Sequence, residues 1–95
     1  MNEKQKEVML IAQEECAEVI QAISKCFRFG FDDSYEGETN QQKLETEVGD
    51  LMAMIELMVD KNIIDKYNVQ VRTAAKKEKL KIWSSIYKDE PSAIN

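Results

Sequence analysis

Two pairs of acidic residues have the spacing of metal ligands on helices. Glu15 and Glu18 lie in one apolar-patterned segment, and Glu47 and Asp50 lie in the next. In a helix, the i, i+3 spacing places both carboxylates of a pair on one face, one turn apart. Carboxylate oxygens are the ligands that hard cations such as Mg²⁺ prefer. The sequence therefore predicts a four-carboxylate Mg²⁺ site, with Mn²⁺ as a substitute.

The apolar pattern predicts which way these acids point. At about 100° per residue, Glu15 falls inside the apolar arc of its segment, Glu18 falls at its edge, and Glu14 falls outside. Glu47 and Asp50 lie between apolar residues of the second arc. An ionised carboxylate in such a setting must be protonated, paired with a base or bound to metal. The alternative interpretation is a solvated acidic face with some partly buried salt bridges.

The third apolar-patterned segment carries a row of polar and basic residues within its apolar arc. The row consists of Asn68, Arg72, Lys76 and Lys79. Arg and Lys would take the phosphate oxygens of a polyphosphate that are not held by metal. The same row would also serve as structural ion pairing for the acids, and long basic side chains also extend out of an apolar stripe to solvent.

Composition favours a small oligomeric protein. The 95 residues make one domain at most, whose own core is marginal, so partners of its own kind are expected. With a net charge of −5 and no continuous basic stretch, nucleic-acid binding is not expected. No apolar run approaches the roughly 18 residues of a membrane span, so we expect a cytoplasmic protein without a membrane partner. The absence of histidine argues against di-iron and catalytic zinc sites.

The remaining sulfur-containing residues are predicted to pack in helix contacts. Cys16 and Cys26 both lie in the first apolar arc, and ten residues of helix hold them about 15 Å apart, too far for a disulfide. We expect them to be small core residues. Met52, Met54 and Met58 suit an adaptable seam between helices.

Local signals predict an all-α fold, an antiparallel helical bundle of three main helices completed by oligomerisation. The first helix is expected over Glu3–Phe29, with Gly30 ending it. Residues 31–38 are expected to form a loop, and Thr39 with Gln42 forms a capping box that starts the second helix. After a polar break at 60–62, the third helix is expected from Asp65 to Tyr87. One domain would cover 1–88, and 89–95 would be a polar tail.

The two acidic motifs resemble those of a known family. EECAE at Glu14–Glu18, followed by EVGD at Glu47–Asp50, is similar to the EExxE...ExxD signature of the MazG-like, all-α nucleoside triphosphate pyrophosphohydrolases. The similarity extends from about Val8 to Trp83 and includes the basic third helix. It implies Mg²⁺-dependent hydrolysis of a nucleoside triphosphate, often a deoxynucleotide, to the monophosphate and pyrophosphate. It also implies a homodimer or homotetramer.

The resemblance also assigns roles to residues. Glu15, Glu18, Glu47 and Asp50 match the family's metal ligands. Other roles follow from the chemistry that the site would need. Glu14 would orient or deprotonate the attacking water, or else is a solvent-facing helix residue without a catalytic role. The basic row of the third helix would hold phosphates. Candidates for stacking on the base are Phe29, Phe31, Tyr35 and Trp83, and the alternative for each is a place in the apolar core.

Two other classes of protein remain open at this stage. One is a metal-free helical interaction module that dimerises and binds another helix through its Met-rich face. The other is a carboxylate-bridged redox metal protein, which the lack of histidine disfavours.

Overall fold

The computed structural model describes residues 1–88 and 90 and is mostly helical. Its elements are α1 (Glu3–Phe29), the strands β1 (Ser34–Tyr35) and β2 (Glu38–Thr39), α2 (Asn40–Asp60) and α3 (Lys66–Trp83). This confirms the all-α class. The predicted tail at 89–95, with the exception of Glu90, lies outside the described residues.

Helix α1 begins at a capping box that also ties it to the end of α2. The Asn2 side chain accepts a hydrogen bond from the Gln5 backbone N–H (2.8 Å), and Gln5 Oε1 accepts one from the Asn2 N–H (3.0 Å). Gln5 Nε2 then donates to the Lys61 carbonyl at 2.9 Å. Since Lys61 follows the last residue of α2, the start of α1 lies beside the end of α2.

The other ends of the two helices meet around Gly30. This residue ends α1 with φ +91°, a conformation that glycine adopts without strain, and its N–H donates to the Cys26 carbonyl. The side chain of Asn40, the first residue of α2, donates to the Gly30 carbonyl at 2.9 Å. Helices α1 and α2 therefore form an antiparallel hairpin, as the sequence predicts.

The connection between α1 and α2 contains a short β-hairpin where a loop was expected. Ser34 pairs with Thr39 and Tyr35 with Glu38, around a turn of Glu36 and Gly37. Both turn residues have positive φ (54° and 81°), as a type I′ turn requires. Two-residue strands are too short to show alternation, so the pattern did not reveal them. The predicted capping box is confirmed, because Thr39 Oγ1 accepts from the Gln42 N–H and Gln42 Oε1 accepts from the Thr39 N–H.

Helix α2 ends in a Schellman motif at Asn62. Its φ is +60°, its N–H donates to the Val59 carbonyl, and the Ile63 N–H donates to the Met58 carbonyl at 2.8 Å. The side chains of Met58 and Ile63 then pack against a cluster of three buried core residues, Val8, Ala12 and Met54.

The chain divides into two compact units, Met1–Ile63 and a second unit that begins at Ile64. The second unit contains α3, which starts at Asp65, whose side chain accepts from the Asn68 N–H (2.9 Å). Helix α3 ends at Trp83 and not at Tyr87 as expected. Ser84 is extended, and its hydroxyl donates to the Leu80 carbonyl and accepts from the Ile86 N–H, so the side chain replaces the helical bonding pattern.

Candidate metal centre

Three of the four predicted ligands converge between α1 and α2. Carboxylate oxygens of Glu15, Glu47 and Asp50 all lie within 4.8 Å of one another. The antiparallel hairpin produces this meeting, since residue 15 is near the middle of α1 and residues 47 and 50 are near the middle of α2. The i, i+3 spacing of Glu47 and Asp50 then brings both to the same side of α2.

The three carboxylates differ in exposure. Glu47 is buried, with 5% of its surface exposed, whereas Glu15 is half-buried and Asp50 is exposed. Partial desolvation raises the pKa of Glu15, and the negative charges of Asp50 and Glu47 raise it further, followed by those of Glu18 and Glu14. Crowded anions of this kind are stabilised by a cation.

These residues fit a hard divalent cation. Every donor is a carboxylate oxygen, the ligand type that Mg²⁺ and Mn²⁺ select. Two oxygens bound to one Mg²⁺ at about 2.1 Å are at most about 4.2 Å apart, so the observed separations need only a small side-chain adjustment to share an ion. Glu47 and Asp50 come from one helix and Glu15 from the other, so a bound ion would link the two helices.

Glu18 and Glu14 lie outside the three-residue cluster. Both are exposed in this chain. Their charges nonetheless act on the pKa of Glu15, and Glu18 also acts on that of Lys43. Glu18 therefore lies near enough to influence the cluster electrostatically, and Glu14 contributes least to the shift of Glu15.

Lys43 is a site residue that the sequence analysis missed. Its Nζ lies 3.1 Å from Oε1 of Glu47, and the side chains are 47% and 7% exposed respectively. The hydrogen bond and the charge of Glu47 raise the pKa of the Lys43 ammonium group. The sequence does contain a signal for this ion pair, because Lys43 and Glu47 are spaced i, i+4 in a predicted helix.

The basic row occupies one face of α3 by its spacing. Asn68, Arg72, Lys76 and Lys79 are all exposed in the described chain, and every residue of α3 is exposed or half-buried. Their predicted inward direction therefore does not make them buried within this single chain. The row belongs to the second unit, whereas the carboxylate cluster belongs to the first.

The predicted stacking residues line separate surfaces. Phe31 borders an apolar groove of about 350 Å³ with Ile23, Cys26 and Leu44. Phe29 and Tyr35 border a more polar groove of about 680 Å³, which Lys43 also lines. The Arg28 guanidinium lies 4.9 Å from the centre of the Phe29 ring, a cation–π contact. Trp83 is 80% exposed, at the end of α3.

The prediction of core cysteines is wrong for Cys16, which is exposed, while Cys26 is half-buried and donates weakly to the Asn40 carbonyl (3.7 Å). Cys16 shares an apolar stripe of α1 with Met9, Ile20, Ile23 and Phe27, all of which are exposed in this chain. The apolar period identified the stripe, but it did not predict that this part of the stripe stays exposed within the described residues.

The described fold is an all-α protein in which three carboxylates meet between two antiparallel helices. The family model of the MazG nucleotide pyrophosphohydrolase domain matches residues 3–82. The chain belongs to this family. No curated protein and no solved structure gives a match. Within the described residues, every helix is too short or too polar to cross a membrane.

Proposed function

We propose that this protein is a Mg²⁺-dependent nucleoside triphosphate pyrophosphohydrolase that converts a nucleoside or deoxynucleoside triphosphate to the monophosphate and pyrophosphate. Membership of the MazG nucleotide pyrophosphohydrolase family supports nucleotide hydrolysis. The observation that carries the metal dependence is the cluster of Glu15, Glu47 and Asp50 oxygens within 4.8 Å. A buried carboxylate beside two others destabilises the fold when no cation is present. The cluster is therefore better explained by metal binding than by a contribution to folding stability.

The proposed metal ligands are Glu15, Glu47 and Asp50, with Glu18 completing the set by a change of side-chain rotamer. A bound divalent cation supplies charge neutralisation for the triphosphate and lowers the pKa of water, with Mn²⁺ as a substitute for Mg²⁺. Glu14 is the proposed residue that orients the water and receives its proton. The water oxygen bonds to the α-phosphorus while the bond from the α-phosphorus to the bridging oxygen breaks, and pyrophosphate leaves with that electron pair.

The basic row of α3 is proposed to bind the departing phosphates. Arg72, Lys76 and Lys79 present cations along one helix face, and Asn68 offers an amide for sugar or phosphate. Their exposure in the described chain leaves the cations free to meet an incoming anion. Phe29, Phe31 and Trp83 are proposed for the base, since their exposed faces have room for stacking.

We propose a homodimer or homotetramer as the functional form. Ile20, Ile23 and Phe27 form a stripe at i, i+3, i+7 on α1, and Phe27 is 87% exposed. The buried apolar core of the described chain, by contrast, contains only Val8, Ala12, Ala22 and Met54. Monomeric proteins seldom leave such contiguous apolar surface in water.

The proposed catalytic domain covers residues 1–88. The family match at residues 3–82 spans the hairpin of α1 and α2 as well as α3, which supports a single functional unit. Because nucleoside triphosphates are cytoplasmic metabolites, we propose a cytoplasmic location.

A product assay tests the proposed function. The protein is incubated with Mg²⁺ and a panel of canonical and modified triphosphates, and pyrophosphate is resolved from orthophosphate. We expect equimolar monophosphate and pyrophosphate from a subset of the panel. Orthophosphate with a diphosphate product would assign cleavage to another bond, and no product from any substrate would contradict an enzymatic role. Thermal melting with and without Mg²⁺ and nucleotide separates an enzyme from an inert interaction module, which would gain no stability.

A further inference from the structure

Lys43 forms an ion pair with Glu47, the buried carboxylate of the candidate metal centre. Among the ion pairs in the described part of the chain, Lys43–Glu47 is the one with a buried partner, the Glu47 side chain being 7% exposed. The other two pairs, Lys6–Glu3 and Lys81–Glu78, join groups that are all more than half exposed. The contact at Glu47 therefore differs in kind from the ordinary surface pairs of this protein.

The position of Lys43 makes it a natural counter-ion. It lies one helical turn before Glu47, and its Nζ lies 3.1 Å from Oε1 of Glu47 while its own side chain is 47% exposed. Without this ammonium group, the three carboxylates would lie within 4.8 Å of one another, and the buried one, Glu47, would have no cation beside it in the described residues. Leaving a buried charge without a partner is strongly destabilising.

The same contact opposes a metal ion. A carboxylate oxygen that accepts a hydrogen bond from an ammonium group has less electron density to offer a cation, and a divalent ion beside the cluster repels the ammonium charge. Because the Lys43 side chain is 47% exposed, its four-carbon stem has room to swing into solvent. Release of Lys43 is then part of filling the site.

We propose that Lys43 is a positioning residue that acts as the resident counter-ion of the carboxylate cluster, holding Glu47 in the absence of metal and yielding it when a divalent cation binds. This inference rests on the proposed function, since it assumes that Glu47 is a metal ligand. It adds that Lys43 competes with the metal for Glu47, so the metal affinity of the protein is lower than its carboxylates alone would give.

Calorimetric titration of the nucleotide-free protein with Mg²⁺, repeated with Mn²⁺, tests this inference. The variants are Lys43→Met, Lys43→Arg and the charge-matched control Lys25→Met, which removes a lysine from the same groove. Loss of a partly exposed competitor should tighten metal binding about 3- to 10-fold in Lys43→Met. Lys43→Arg, which keeps the cation, should stay within about twofold of the wild type, as should Lys25→Met.

The melting temperature of the metal-free protein gives a second readout. Lys43→Met should melt below the wild type without metal and recover with saturating Mg²⁺, whereas Lys25→Met should not. Equal or weaker metal binding in Lys43→Met, or a gain that Lys25→Met matches, would overturn the inference while leaving the metal site intact. A wild-type protein that binds neither ion would overturn the proposed metal site and this inference with it.

Discussion

Replacing Glu47 by glutamine should have opposite effects on stability and on metal binding. The amide keeps the volume of the side chain and retains an oxygen that accepts from Lys43, but it removes one of three crowded negative charges. Two unit charges 4.8 Å apart repel by about 0.9 kcal/mol in bulk water and by about 3.5 kcal/mol at an effective dielectric constant of 20. Glu15 and Asp50 together repel Glu47 by about twice these amounts, and the attraction of Lys43 Nζ at 3.1 Å offsets about 1.3 and about 5.4 kcal/mol of the repulsion in the two media. The remaining net repulsion predicts that removing the charge of Glu47 stabilises the metal-free protein by about 1 kcal/mol.

This gain is large enough to measure by thermal melting. For a domain of this size, about 1 kcal/mol corresponds to a rise of roughly 4–8 °C in Tm. Addition of Mg²⁺ at about 100 times its Kd should stabilise the wild type by about 2.7 kcal/mol, and this increment should be lost in Glu47→Gln. Catalysis should fall by more than the roughly 10- to 100-fold that follows from losing a group that only orients a metal ligand.

The matched control is Glu78→Gln, which neutralises an acid in an exposed i, i+3 ion pair with Lys81. It should change the free energy of unfolding by at most about 0.5 kcal/mol and leave the effect of Mg²⁺ unchanged. A Glu47→Gln protein that melts below the wild type without metal, yet gains as much from Mg²⁺, would refute the electrostatic account of the cluster.

Further predictions concern pH, the basic row, the assembly and a helix glycine. The pKa of Glu15 in the folded protein is raised above its usual 4.5, so metal-free stability should fall as pH rises from 4.5 through the raised pKa. Mg²⁺ affinity should rise over the same pH range. Glu15→Gln should reduce the pH dependence of both the melting temperature and the calorimetric Mg²⁺ affinity. Lys76→Met should reduce kcat/KM about 10-fold or more at unchanged metal-free Tm, whereas Lys77→Met should leave both unchanged; a large loss of Tm in Lys76→Met would favour structural ion pairing. Sedimentation at low micromolar concentration should show a dimer or tetramer, and a folded, active monomer would contradict this. Since a Cβ at Gly49 would meet open space in the described chain, Gly49→Ala should raise Tm by a few degrees, unless another subunit contacts it closely, in which case Tm would fall.

Local signals predicted most of the fold. The bounds of α1 were correct because its apolar period ends at a glycine that takes a positive φ, and α2 starts at the predicted capping box of Thr39 and Gln42. The sequence gives no comparable signal for two-residue strands or for Ser84, whose hydroxyl ends α3 early. Helix ends that depend on one side-chain rotamer are not encoded in periodicity.

The sequence predicted which way the carboxylates of the candidate site point, but not how deeply each is buried or which cation pairs with them. The helical period correctly turned Glu15, Glu47 and Asp50 toward one another, since facing arcs of an antiparallel hairpin must meet. It did not predict that Glu47 alone of the three would be buried, because burial depends on the packing of neighbouring side chains. Lys43 falls inside the apolar arc of α2, between Asp50 and Met54, but cations were sought only in the third segment, so its pairing with Glu47 was not predicted.

The most direct test of the central claim is anomalous diffraction from crystals of the protein grown with Mn²⁺ and a non-hydrolysable triphosphate. The account predicts a Mn²⁺ peak bound by carboxylate oxygens of Glu15, Glu47 and Asp50 at about 2.2 Å, with the α-phosphate beside it. Manganese found only at other positions, or these three carboxylates directed away from the nucleotide, would contradict it.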